Sequence, residues 1–128
     1  MPLLVPISVG ELLDKITILE IKAEVITDPA RHANVMHELA TLDAVRQNEV
    51  ASLPELEALY LELQSVNRQL WRIEDDIRAI ERTGLFDERF IELARSVYRN
   101  NDERAALKRR INQLTGSDIV EEKSYLRG

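Results

Sequence analysis

The stretch LEALYLELQSVNRQLWRIEDDIRAI, residues 56–80, decides the fold class of this chain. Its apolar residues recur at alternating steps of three and four and form one unbroken row: Leu56, Leu59, Leu63, Val66, Leu70, Ile73, Ile77 and Ile80. Such a row is typical of a long helix with a coiled-coil-like seam. Ser52 and Glu55 have the spacing of an N-terminal capping box, and Gly84 suits a C-terminal cap. The sequence therefore predicts a helix over residues 53–83.

A second long helix is predicted over residues 88–115, with Asp87 as its N-cap and Gly116 at its end. Its apolar row is interrupted, because Asn100 and Arg104 occupy the two middle positions between apolar ends. A guanidinium at such a position is expected to be partly enclosed and to need a carboxylate partner. The candidate partners are Asp14, Glu20 and Glu74.

Two further helices precede this pair in the chain. Residues 9–26 begin at a capping box formed by Ser8 and Glu11, and they are apolar on more than one side. This distribution is typical of a helix that is enclosed by its neighbours. Asp28 marks the start of another helix, over residues 29–51, whose narrow apolar row indicates a peripheral position.

The composition of the chain fits a single domain spanning residues 1–128, with 45% apolar and 31% charged residues. We predict an all-α antiparallel bundle of about four helices, with an extended arm at residues 1–7 and a C-terminal tail at residues 116–128. Residues 1–66 carry four basic and eleven acidic side chains, whereas residues 67–128 carry thirteen basic and twelve acidic ones. This difference favours packing of the two halves against each other.

Composition also excludes several classes of function. The chain has no cysteine and only two histidines, so we expect no disulfide, no metal centre and no bound cofactor. The net charge of −6 argues against a nucleic-acid partner. The apolar run Leu3-Leu4-Val5 is far too short for a signal peptide or a membrane span, and we expect a cytoplasmic protein.

Three of the predicted helices carry a polar row beside an apolar one. The candidate ligand-binding residues on these rows are Lys15, Lys22, Asn67, Trp71, Glu74, Asn101, Arg104 and Lys108. If the rows converge, they form a pocket with several cations, two amides and one aromatic wall, which suits an anionic ligand. The alternative is a polar layer that fixes helix register, in which the cations pair with carboxylates. No catalytic residue is assigned, because the chain has neither a serine–histidine triad nor a glycine-rich phosphate loop.

Residues 9–22, VGELLDKITILEIK, resemble the opening of a family of short bacterial proteins known only as a domain of unknown function. The resemblance extends over nearly the whole chain through Leu70-Trp71 with Glu74-Asp75, Phe86-Asp87, Tyr98 with Asn101-Asp102, Arg104-Ala105, and Glu121-Glu122-Lys123-Ser124-Tyr125. It implies that the polar rows belong to recurring motifs of that family, and it brings no activity, substrate or cofactor.

A weaker resemblance is to the all-helical chorismate mutases, which build a cationic pocket between helices. Chain length and the mix of arginine, lysine and glutamate agree with that family. The order and spacing of these residues depart from its signature, so no residue role is carried over.

Two classes of function therefore remain open. The first is a non-enzymatic helical interaction module that acts as an adaptor or regulator in a bacterial cytoplasm. The second is a small-molecule enzyme or sensor that binds an anionic metabolite between its helices.

A helix of about 28 residues is roughly 40 Å long. In a chain this small, the other helices cannot cover the whole apolar seam of such a helix. We therefore expect a homodimer, in which a second copy covers the remaining apolar area.

Overall fold

The computed structural model describes residues 1–122 and contains four α-helices: α1 (Val9–Val25), α2 (Pro29–Glu49), α3 (Pro54–Thr83) and α4 (Glu88–Thr115). Within that range the chain forms no strand, which confirms the all-α bundle. The arm at residues 1–7 lies outside any regular element and is exposed. Of the tail, residues 116–122 are described, whereas Lys123, Ser124 and Tyr125 of the last motif lie outside the described residues.

Most of the helix ends are fixed by the caps that the sequence indicates. The Oγ atom of Ser8 accepts a hydrogen bond of 3.0 Å from the Glu11 amide. Asp28 and Asp87 accept equivalent bonds from the first turns of α2 and α4. Gly84, with φ of 72°, ends α3 in the left-handed conformation that a glycine adopts without steric cost.

The prediction that Ser52 caps the N-terminus of α3 is wrong. The N-cap of α3 is Leu53, and no side chain caps this end. The reason lies in Pro54, which occupies the first helical position and forces the preceding residue into an extended conformation. Leu53 has φ of −131° and ψ of 139°, so it takes the cap position and leaves Ser52 one residue too early.

Helix α1 is the centre of the bundle, as its two-sided apolar pattern predicts. It packs against all three other helices, and eight of its 17 residues are buried. Leu13 and Ile16 are buried among Leu63 of α3 and Ile111 of α4 in the core. Helix α2 contributes a single buried residue, Val35, which confirms its peripheral position.

Helix α1 covers only part of the α3–α4 hairpin, because it is much shorter than the 30 residues of α3 and the 28 of α4. The buried residues of α3 all lie within residues 56–70, and those of α4 within residues 107–112. Residues 71–103, which we call the outer hairpin, contain no buried residue. The first five residues of the apolar seam therefore stabilise the bundle, and the last three, Ile73, Ile77 and Ile80, lie beyond it.

A close approach of backbones sets the position of α1 against α4. The Gly10 amide donates a hydrogen bond of 2.7 Å to Oδ1 of Asn112, which is buried. A Cβ atom at Gly10 would lie 2.7 Å from the Lys108 carbonyl oxygen and 2.9 Å from Asn112 Oδ1. Only glycine lets the two helices come this near.

Replacing this glycine tests the close approach. Alanine in a helix is normally about 1 kcal/mol more favourable than glycine. At Gly10 the sign is expected to reverse, and Gly10→Ala should lower the free energy of unfolding by about 1–3 kcal/mol through overpacking against α4. Urea denaturation of the two proteins measures the difference, and an equally stable or more stable variant would contradict the packing described here.

Candidate functional site

A buried carboxylate joins three helices at the centre of the bundle. Asp14 of α1 is only 1% exposed. Arg104 of α4 donates two parallel hydrogen bonds to this carboxylate, and the bond from Nε to Oδ1 is 2.8 Å long. The Nδ2 group of Asn67, on α3, donates 2.8 Å hydrogen bonds to Asp14 Oδ1 and to Thr17 Oγ1. The hydrogen bonds to Asp14 raise the pKa of the Arg104 guanidinium.

A second polar cluster lies at the N-terminus of α1. The Nζ atom of Lys108 is 2.6 Å from a carboxylate oxygen of Glu11 and 2.9 Å from one of Glu121. The Ser8 hydroxyl donates a hydrogen bond of 2.8 Å to the other oxygen of Glu121. Residues 117–122, which we call the strap, are thereby tied to the start of α1.

The charges of this cluster depend on one another. Burial alone would lower the pKa of Lys108, but the hydrogen bonds to Glu11 and Glu121 outweigh it and raise the pKa overall. Partial burial would raise the pKa of Glu121, yet the bonds from Lys108 and Ser8 lower it. Glu11 does not return to the Ser8 amide as a capping box requires, since its carboxylate pairs with Lys108.

Two clefts open beside these clusters, and they share Asn101 and Arg104 on their walls. The larger, which we call the interhelical cleft, has a volume of about 360 Å³. The smaller has about 120 Å³ and lies beside Lys108 and Glu121. Among the described residues, no group of three or more histidines and carboxylates is arranged to hold a metal ion.

The structure brings together five of the eight candidate ligand-binding residues. They line the interhelical cleft: Asn67, Trp71, Glu74, Asn101 and Arg104. Lys108 lies at the smaller cleft instead. Lys15 is half-exposed and lies 3.7 Å from Glu11, one turn away on its own helix. Lys22, in the last turn of α1, lines neither cleft.

Sequence reasoning did not assign several residues to the site. The sequence predicts Asp14 only as a partner for Arg104, although a carboxylate inside the most apolar helix of the chain is a signal in itself. Ile18 and Asp75 line the cleft as well: Ile18 lies at helical spacing between Lys15 and Lys22, and Asp75 lies one turn after Trp71. Glu121 could not be found, because it contacts Ser8 across 113 residues and stands in a segment without periodicity.

The two inward-facing cations are therefore paired with carboxylates, as expected for a polar layer. Arg104 pairs with Asp14, and Lys108 with Glu11 and Glu121. The Arg104 side chain is nevertheless 29% exposed, and its Nη1 atom makes no hydrogen bond within residues 1–122. The same guanidinium thus holds the bundle together and faces the cleft.

Removing the cation tests its part in holding the bundle. Arg104→Met keeps the length of the side chain but leaves the Asp14 carboxylate buried without its ion partner. We expect a loss of about 3 kcal/mol in the free energy of unfolding, as for other broken buried pairs. Arg99→Met is the matched control on α4, since its partner Glu92 is exposed and such pairs contribute less than about 1 kcal/mol. Equal losses in denaturant melts of both variants would contradict a supporting role for the Asp14 pair.

The strap should weaken in acid. Glu121 has a lowered pKa in the folded chain, so its contribution is present above the ordinary carboxyl pKa of 4.5 and is lost as the pH falls through the folded value. Glu121→Gln should cost at most about 1 kcal/mol at neutral pH, because the carboxylate is partly exposed. The difference from the parent chain should vanish in denaturant melts at acidic pH. A cost that persists in acid, or an equal cost for Glu122→Gln, would refute the charge-based strap.

Comparison with known proteins agrees with the resemblance seen in the sequence. Of the residues described, no helix is both long enough and apolar enough to cross a lipid bilayer. No curated protein and no solved structure shows a significant match to the chain. A family model does match, over residues 3–127. Because that match covers nearly the entire chain, the protein belongs to DUF6165, a family of unknown function.

Proposed function

We propose that this chain is a non-enzymatic helical interaction module, an adaptor or regulator that binds protein surfaces through its outer hairpin. The observation that carries the proposal is a second apolar row on α4. Ile91, Ala94 and Tyr98 follow one another at steps of three and four, so they share a helix face. Ile91 is 48% exposed and Tyr98 is 56% exposed. No residue of the described chain buries this row.

The tip of the outer hairpin exposes further apolar side chains. Leu85 and Phe86 are both more than half exposed, and the Phe86 ring meets that of Phe90 edge to face at 5.0 Å. Exposed apolar side chains that form a continuous patch are typical of interaction sites, whereas single ones are not. These exposed apolar residues on one hairpin support docking of another protein.

A second copy of the chain is the partner that we propose first. Residues 71–100 carry six basic and seven acidic side chains, so two outer hairpins do not repel each other despite the net charge of −6 on the chain. Two helical hairpins with coiled-coil-like seams can pair about a two-fold axis into a four-helix arrangement. The exposed arm, with Leu3 and Leu4 almost fully accessible, adds further apolar area for such a homodimer.

Because Arg104 and Lys108 form ion pairs with carboxylates, these residues support a structural polar layer rather than a catalytic centre. We further propose that residues 1–128 act as one domain in a bacterial cytoplasm, in keeping with the short bacterial proteins that the sequence resembles. The net negative charge favours protein partners over nucleic acid.

Sedimentation at micromolar concentration tests the homodimer. The chain should sediment as a dimer with twice the 14.7 kDa mass of one chain. The double variant Ile91→Glu with Tyr98→Glu should sediment as a single chain, because it places two charges in the apolar row without touching the core. A parent chain that remains at 14.7 kDa throughout would refute self-association.

A matched control separates the apolar row from a general effect of added charge. Met36 and Val45 of α2 are 44% and 42% exposed, close to the exposure of Ile91. Met36→Glu with Val45→Glu adds the same two charges to a peripheral helix and should leave the dimer intact. Dissociation by both double variants would show that net charge, and not the row on α4, governs association.

A further inference from the structure

The interhelical cleft presents hydrogen-bond donors on one wall. The Asp14 carboxylate accepts hydrogen bonds from two nitrogen atoms of Arg104, Nε and Nη2. The Nη1 group makes no hydrogen bond within residues 1–122, and neither does the side-chain amide of the half-buried Asn101. Both residues line the cleft. A guanidinium beside an amide is suited to a carboxylate of a ligand.

A buried acceptor lies on the neighbouring wall. Asn67 is only 4% exposed, and both hydrogens of its Nδ2 group are used by Asp14 and Thr17. Its Oδ1 atom accepts no hydrogen bond from the described residues. Asn67 is one of the residues that line the interhelical cleft. A ligand that donates hydrogen bonds would satisfy its Oδ1 atom.

The remaining walls are apolar on one side and acidic at the rim. Ile18, Leu70 and the indole of Trp71 supply the apolar side. Glu74 and Asp75 supply two exposed carboxylates, and Arg78 one cation. Because Asp14 neutralises Arg104, the charged groups around the cleft leave an excess of one negative charge. This balance disfavours the simple anion suggested by the sequence and favours a ligand that also carries a positive group.

We propose that the interhelical cleft binds a small zwitterion of the amino-acid type, with its carboxylate toward Arg104 and Asn101 and its ammonium toward Glu74 and Asp75. The apolar part of the ligand packs on Trp71, whose ring also attracts a nearby cation. The volume of about 360 Å³ lies at the lower end of small-molecule sites, which run from roughly 300 to 1,000 Å³. The site does not depend on self-association through the outer hairpin.

The single tryptophan of the chain makes the cleft directly observable. Trp71 emission, excited at the red edge of its absorption, is followed while L-amino acids other than tryptophan and tyrosine are added at millimolar concentration. At least one should change the emission saturably and raise the melting temperature. No response to any of them overturns the proposal.

Two analogues of the amino acid that binds dissect the site. One lacks the carboxylate and is a simple amine, and the other lacks the ammonium and is a simple acid. Each should bind at least about tenfold more weakly, which corresponds to 1.4 kcal/mol. If the acid binds as tightly as the parent compound, the cleft is an anion site, and if the amine does, it is a cation site. Either result overturns the proposal that the ligand is a zwitterion.

Adjacent carboxylates on α3 provide a matched pair of variants. Asp75 lines the cleft, whereas the neighbouring Asp76 is exposed and does not. Asp75→Asn should weaken binding about tenfold, and Asp76→Asn should leave it unchanged. Asn101→Ala breaks no hydrogen bond within the described residues, so it should keep the melting temperature of the free chain and still weaken binding. Equal affinities for the two aspartate variants, or full affinity for Asn101→Ala, would overturn the proposed contacts.

Discussion

The burial of the Asp14 carboxylate is the constraint on which the rest of the structure depends. A charge taken out of water is costly unless partners surround it. Asp14 finds those partners on two other helices, in Arg104 of α4 and Asn67 of α3. An apolar core tolerates small rotations and shifts of its helices, whereas this set of hydrogen bonds does not. The polar contact therefore fixes the register of three helices that hydrophobic packing alone would leave less defined.

The position of α1 then explains both the bundle and its open half. Gly10 lets α1 approach α4 closely, and ion pairs of Asp14 and Glu11 with Arg104 and Lys108 join the acidic half of the chain to the more basic one. Because these contacts anchor the 17 residues of α1 at one end of the hairpin, none of it reaches the other end. The uncovered seam and the interhelical cleft are two consequences of one placement.

The parts of the fold that could be predicted from the sequence are those that local periodicity and capping determine. The seam within residues 56–80 and the caps at Ser8, Asp28 and Asp87 depend on neighbours within a few residues. The error at Ser52 is also local, since a proline at the first helical position places the cap one residue later, at Leu53. Candidate site residues were harder to predict, because they depend on how each helix is rotated about its axis.

Helix α1 illustrates that limit. Lys15, Ile18 and Lys22 are separated by steps of three and four on α1, yet only Ile18 lines the interhelical cleft. Neighbouring side chains on a helix are separated by about 100° of rotation, so a modest rotation exchanges the residue that faces a cleft for one that does not. Long-range contacts are still less accessible, since nothing in the local pattern around Glu121 indicates that it lies against the start of α1.

The double role of Arg104 follows from the geometry of its side chain. A guanidinium has five N–H donors in a rigid plane, and a carboxylate bound side-on uses only two of them. The Asp14 pair therefore fixes the orientation of the plane while leaving donors directed elsewhere. A lysine could not do this, because its ammonium has no fixed plane. Support of the fold and recognition of a ligand are not competing uses of this residue: the buried ion pair is what would hold the remaining donors in place at the cleft.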